Sequence, residues 1–189
     1  MEYFDSLNFN LNNACSIKFF LILDNSGNRI YCSYYPNNNE KSEFDTIENQ
    51  LNFEKRLCEK IIKLNVDRVD LDIINFENYN ILCKVNREVN IFIGINEEDN
   101  EILLEKIYDE FEFNLFEIIQ DNLSREKIFS YYDKIVILID ELCYGGIILN
   151  IDRDSLNDRI FGARVNYDIK NEKSNNEKKG NFITSWFGF

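Results

Sequence analysis

Ser16-Ile17-Lys18-Phe19-Phe20-Leu21-Ile22-Leu23 is a near-continuous apolar run of strand length, and Asp24-Asn25-Ser26-Gly27-Asn28 follows it at once. The second stretch is dense in residues that accept left-handed and tight-turn conformations. Arg29-Ile30-Tyr31-Cys32-Ser33-Tyr34-Tyr35, ending at Pro36, then reads as a second strand, and the whole as a β-hairpin. A strand apolar on both faces needs helices covering it from both sides. The hairpin therefore predicts a layered domain with a sheet in the middle.

The rest of the chain supplies the layers. Residues 42–64 have helical spacing, with Ile47, Leu51, Leu57, Cys58, Ile61 and Ile62 near one stripe and Glu48, Glu54, Lys55, Glu59 and Lys63 on the remaining surface. Three short strands are predicted at 71–76, 79–85 and 89–95, with turns at Glu77-Asn78 and Asn86-Arg87-Glu88 so tight that they force an antiparallel meander. A second helix spans 101–120. A third spans 124–143, with Ser124 as its N-cap, Glu126 in its first turn and Ile128, Tyr132, Ile135, Val136, Ile139 and Leu142 as its buried stripe. Gly145-Gly146 then reads as a helix stop. A short helix is expected over 155–161. One sheet with the first helix on one face and the last two on the other buries every stripe, which makes the fold class α+β. The domain is expected to span residues 14–165, after a flexible polar arm (1–13) and before a flexible polar tail (166–189) that ends in an aromatic segment.

Composition narrows the function. Thirty-four acidic against 21 basic side chains leave a net charge of −13. A field of that sign repels nucleic-acid phosphates and acidic lipid head groups, so the expected partner is a protein. The five cysteines are odd in number, form no C-x-x-C pair and lie in or beside apolar segments, the pattern of free thiols in a reducing compartment. With no signal-like start and no apolar run of membrane-spanning length, a cytoplasmic protein without a transmembrane anchor is expected.

Chemistry is harder to find. There is no histidine, which removes the commonest general base, Ser-His and Cys-His dyads and most zinc sites. No glycine-rich phosphate loop is present. Glu97-Glu98-Asp99 reads as charge at a helix N-terminus and matches no calcium-loop spacing. Asp140-Glu141 reads as a solvated pair on a helix. No nucleophile, base and oxyanion donor can be assembled, so the expectation is a protein without catalysis, cofactor or metal.

Two features stand above this background. Gly145-Gly146 is followed by Ile147-Ile148-Leu149, either a core-packing extension of the helix end or an apolar edge offered to a partner. The tail Asn181-Phe182-Ile183-Thr184-Ser185-Trp186-Phe187-Gly188-Phe189 carries five large apolar side chains, each worth roughly 1.5–3 kcal/mol when buried. The tail either folds back or docks elsewhere. The candidate binding residues are accordingly Ile147, Ile148, Leu149, Trp186, Phe187 and Phe189.

Element order and motifs together resemble the longin-like (profilin-like) small subunits of adaptor complexes and coatomer. The first hairpin is similar to that of coatomer zeta subunits: an apolar run, Leu23-Asp24-Asn25, the Gly27 turn, Arg29 and the paired Tyr34-Tyr35. Asp140-Glu141 through Gly145-Gly146 is shared with the sigma subunits of clathrin adaptors, but there a polar, acidic stretch follows the glycines, whereas Ile147-Ile148-Leu149 is apolar as in zeta. The resemblance implies a five-stranded, largely antiparallel sheet. It also implies a non-catalytic subunit of the COPI coat, paired with the coatomer gamma subunit and brought to Golgi membranes through an Arf-family GTPase, in Golgi-to-ER retrograde and intra-Golgi transport. A sigma-type adaptor subunit or a longin-type tethering subunit is the alternative.

Overall fold

The computed structural model describes residues 16–35, 43–64, 71–86, 88–120 and 122–161, Asp154 aside. Among them five strands form one sheet in the order β2-β1-β5-β4-β3, every neighbouring pair antiparallel. β1 is Ile17–Asp24, β2 Arg29–Tyr34, β3 Leu71–Phe76, β4 Tyr79–Val85 and β5 Val89–Asn96. β1 lies between β2 and β5, and all eight of its residues are buried. Its apolar run on both faces is thus explained by cover on both faces.

Alternation along the strands divides the interior in two. On one face Phe19, Leu21, Leu23, Ile81, Cys83 and Phe92 pack against α1 (Ile47–Leu64) through Phe53, Leu57 and Ile61. On the other, Phe20, Ile22, Leu82, Ile91 and Ile93 pack against α2 (Glu101–Ile119), α3 (Arg125–Ser130) and α4 (Tyr132–Leu142). The ring of Phe19 lies across Gly94, its cross-strand partner, where a β-carbon would come within 2.2 Å of it. It is the centre of an aromatic cluster with Tyr34, Phe44, Phe53 and Tyr79.

Three local expectations need correction. The predicted third helix is two, α3 and α4, meeting at Tyr131. The Ser130 hydroxyl donates to the Glu126 carbonyl at 2.9 Å, a back-bond that competes with the helix ladder and bends it. In α1, Ile47, Leu51 and Ile62 are exposed while Glu54 is buried, because the interior takes a narrower arc of the helix than its apolar stripe. Tyr132 is likewise exposed. α2 starts at Glu101, as read, and is capped by Asn100, whose side chain accepts from the Ile102 N–H at 3.0 Å, with Glu97-Glu98-Asp99 just before it. Ser124 does cap α3, accepting from the Lys127 N–H. Helical residues over 155–161 close the described chain, with Leu156 buried.

Candidate partner interface

α4 ends at Leu142, and the chain enters a two-residue strand, β6 (Cys143–Tyr144), which returns as β7 (Ile147–Ile148). Gly145 and Gly146 between them have φ of +58° and +83°. Two successive left-handed residues are what a two-residue hairpin turn of the primed type requires, whereas a helix C-cap needs only one. The glycine pair is therefore a hairpin turn rather than a helix stop.

This hairpin is pinned to the sheet. The Ile17 N–H donates to the Gly146 carbonyl at 2.8 Å, and the Leu149 N–H to the Leu142 carbonyl at 2.9 Å. A β-carbon on Gly146 would stand 2.5 Å from the Ile17 oxygen and 2.9 Å from the Tyr35 Cβ. The Tyr35 hydroxyl and the Cys143 thiol share a hydrogen bond at 3.4 Å. Burial pushes the Cys143 thiol up to about 11, so it stays neutral and inert at physiological pH.

Residues directly opposite in an antiparallel pair share a face. Cys143 pairs with Ile148 and points inward, Cys143 buried and Ile148 half-buried against the core. Tyr144 pairs with Ile147 on the outer face, 72% and 47% exposed, and Leu149 adjoins them at 57%. Of the three residues singled out in the sequence, Ile147 and Leu149 face outward and Ile148 does not. Tyr144 completes the outward set. The glycine pair was the signal for it, since a two-residue turn places 144 opposite 147. Trp186, Phe187 and Phe189, like the arm and tail as a whole, lie outside the described residues.

The first hairpin holds the rest of the frame in register. Glu54 of α1 is 2% exposed and accepts from the Arg29 Nε at 2.8 Å and from the Tyr34 hydroxyl at 2.6 Å, while Arg29 also donates to Gln50 at 3.2 Å. Burial, with Glu54 beside it, raises the Tyr34 hydroxyl far above its ordinary range, so Tyr34 remains a donor. At the turn, Asp24 accepts from the N–H groups of Ser26 and Asn28 and pairs with Arg125 of α3 at 3.1 Å. Asp24, Arg29, Tyr34 and Tyr35, the residues behind the resemblance, thus tie β1–β2 to α3, α1 and β6. Asp140 is exposed, but Glu141 pairs with Arg159 at 2.6 Å, so the two are not a free acidic pair.

Elsewhere, a cavity of about 200 Å³ opens between α2 and the strands β4 and β5, lined by Ile91, Tyr108, Leu115, Phe116, Ile119 and Leu123 with Lys84 and Glu112. Among the described residues no three Cys, Asp or Glu are grouped to hold a metal, and no helix is long and apolar enough to cross a membrane.

A small antiparallel sheet between one helix and several, with its motif residues used as ties between layers, defines a longin-like small subunit. The family model described as clathrin adaptor complex small chain matches residues 16–164, and the chain belongs to that family. Within it, the chain is 29% identical to the coatomer subunit zeta of Saccharomyces cerevisiae over 156 residues, 80% of each chain. It is 29% identical to the probable coatomer subunit zeta-A of Dictyostelium discoideum, covering 75% of this chain and 77% of the relative. With the Homo sapiens coatomer subunit zeta-1 the identity is 23%, covering 77% and 76%. Among solved structures, a chain of a full-length AP-3 complex (a homology model in a stretched open conformation) superposes with a TM-score of 0.55 at 11% identity, covering 83% of this chain and 98% of that one, which shows a shared fold.

Proposed function

We propose that the chain is a non-catalytic structural subunit of a COPI-type vesicle coat, pairing with the coat's gamma subunit. The observation that carries this reading is the β6–β7 hairpin. Tyr144, Ile147 and Leu149 are apolar, exposed and held on a backbone bonded into the sheet. Apolar side chains fixed outside a closed core are suited to the buried centre of a protein interface. Exposed Ile47, Leu51 and Ile62 on α1 offer a second apolar strip on the other layer of the molecule, as a subunit enclosed by a larger one would need. The coatomer zeta names of relatives covering about 80% of the chain support the coatomer branch over a sigma-type adaptor or a tethering subunit. The subunit is cytoplasmic and peripheral on Golgi membranes. Its net charge of −13 fits recruitment through its partner and an Arf-family GTPase rather than direct contact with acidic lipid. It would serve Golgi-to-ER retrograde and intra-Golgi transport.

Co-expression separates the readings. The chain should co-purify in equal amounts with a coatomer gamma subunit and not with a clathrin-adaptor large subunit. Stable pairing with the adaptor large subunit alone would replace this reading with the sigma one.

A further inference from the structure

The two halves of the Asp140-Glu141 motif have separate fates. Glu141 is engaged inside the molecule, on Arg159. Asp140 is exposed and takes no hydrogen bond or ion pair among the described residues. Its surroundings are aromatic. Residues four apart share a helix face, so Tyr132, Val136 and Asp140 form one stripe along α4. Alternate residues share a strand face, so Tyr31, Ser33 and Tyr35 form another along β2 and just beyond it. The two stripes meet. The Tyr31 and Tyr132 rings lie 6.5 Å apart at 56°, and the Tyr35 hydroxyl reaches Cys143 just past the end of α4. Burial chiefly, and after it the charge of Asp140, push the Tyr31 hydroxyl up to about 12, so the carboxylate lies within Coulombic reach of that phenol.

Two rings at an open angle beside an unpaired carboxylate suit a planar cation. The ring faces attract it through their quadrupoles and the carboxylate through its charge. A guanidinium fits better than an ammonium, because it stacks on a ring and forks onto a carboxylate. The nearest basic side chains along the chain are engaged elsewhere. Lys134 lies over the Tyr131 ring, Arg153 pairs with Glu110, Arg159 with Glu141, and Arg29, on the strand of Tyr31, with Glu54. Position points to the source of the cation. Through Tyr35 and Cys143 the corner runs into the β6–β7 hairpin, so a subunit bound at Tyr144, Ile147 and Leu149 stands next to it. The net charge of −13 favours basic groups in whatever docks there.

We propose that the partner seated on the β6–β7 surface inserts an arginine into the corner formed by Tyr31, Tyr132 and Asp140, its guanidinium against the rings and forked onto the carboxylate. This rests on the pairing with a coatomer gamma subunit proposed above, and adds a charged contact beside the apolar one. The apolar side chains supply the buried centre of the interface. The arginine supplies its register, and a large subunit without one leaves Asp140 unpaired, which discriminates against it.

The test compares two like changes one residue apart, in the full chain binding a coatomer gamma subunit. Asp140→Asn should weaken binding at least about tenfold and flatten its salt dependence, without lowering the melting temperature. Glu141→Gln removes the same charge from a residue tied to Arg159 and should leave binding unaltered. Tyr132→Leu keeps apolar bulk but loses the ring, and should weaken binding several-fold. Unmodified affinity in Asp140→Asn overturns the proposal. So does an equal loss in Glu141→Gln, which would make the effect one of net charge. If the gamma subunit binds neither the unmodified chain nor the variants, the coat reading fails, and N-acetyl-arginine amide then decides the corner alone. In amide NMR spectra it should shift Tyr31, Tyr132 and Asp140 of the unmodified chain, and should leave the Asp140→Asn chain unshifted there. Absence of those shifts from the unmodified chain overturns the corner as well.

Discussion

At the scale of single residues, Glu54 has the most to lose. It is a carboxylate buried in α1 beneath the strand β2, and Arg29, Tyr34 and Gln50 converge around it. Removing one member of a buried ion pair leaves the other without its partner and typically costs 3–5 kcal/mol. Arg29 keeps some solvent access, its side chain being 23% exposed. Glu54→Ala should therefore lie at the low end, about 3 kcal/mol, measured by urea unfolding. A loss under about 1 kcal/mol would mean that the contact is worth no more than a surface pair. Asp24 gives a pH-dependent prediction. Burial alone would raise its carboxyl, but bonds from Asn28 and Ser26 and the charge of Arg125 outweigh that and hold it below its ordinary 3.8. A depressed folded value means stability that is complete above the unfolded value and is lost as pH falls through the folded one. Below about pH 4 the wild type should thus lose stability more steeply than Asp24→Asn. Equal acid limbs would show that Asp24 contributes nothing there.

At the scale of elements, two glycines sit where a β-carbon has no room. Gly146 combines a left-handed φ with close approach to Ile17 and Tyr35, so Gly146→Ala adds backbone strain of about 1–2 kcal/mol to a clash. Gly94→Ala drives a β-carbon into the Phe19 ring, an overpacking that costs about 1–3 kcal/mol. Both variants should unfold at lower urea concentration. Only Gly146→Ala should also weaken partner binding, because it alone deforms the β6–β7 surface. Elements of this kind mark how far the sequence can be read. β1 announced the sheet and its two covered faces because its near-continuous apolar run is of strand length, apolar on both faces and followed at once by turn residues. The meander was legible because its turns are too short for crossovers. The β6–β7 hairpin was not, since a glycine after a helix serves a C-cap and a turn alike. Only the second glycine separates them. Burial of Glu54 was illegible as well, because helical periodicity places a charge outside and says nothing about Arg29 and Tyr34 arriving from another strand.

At the scale of the whole molecule, the fold resolves into a frame and a presented surface. β1–β2 ties α1, α3 and β6 together through Asp24, Arg29, Tyr34 and Tyr35, and that rigidity lets Tyr144, Ile147 and Leu149 stay outside without collapsing inward. Of the candidate site, the sequence marked Ile147 and Leu149 by their apolar character. It could not exclude Ile148, because facing depends on the register that the turn sets. A small subunit of a coat needs little more than this: a stable body and an apolar surface for a larger partner. The most direct measurement is the affinity of the chain for a coatomer gamma subunit, taken with and without the paired change Ile147→Asp and Leu149→Asp. The melting temperature of the isolated chain should be followed alongside. The account predicts that binding weakens at least about a hundredfold, equivalent to about 2.8 kcal/mol, while the melting temperature stays unchanged. Unaltered binding by the doubly substituted chain would contradict it.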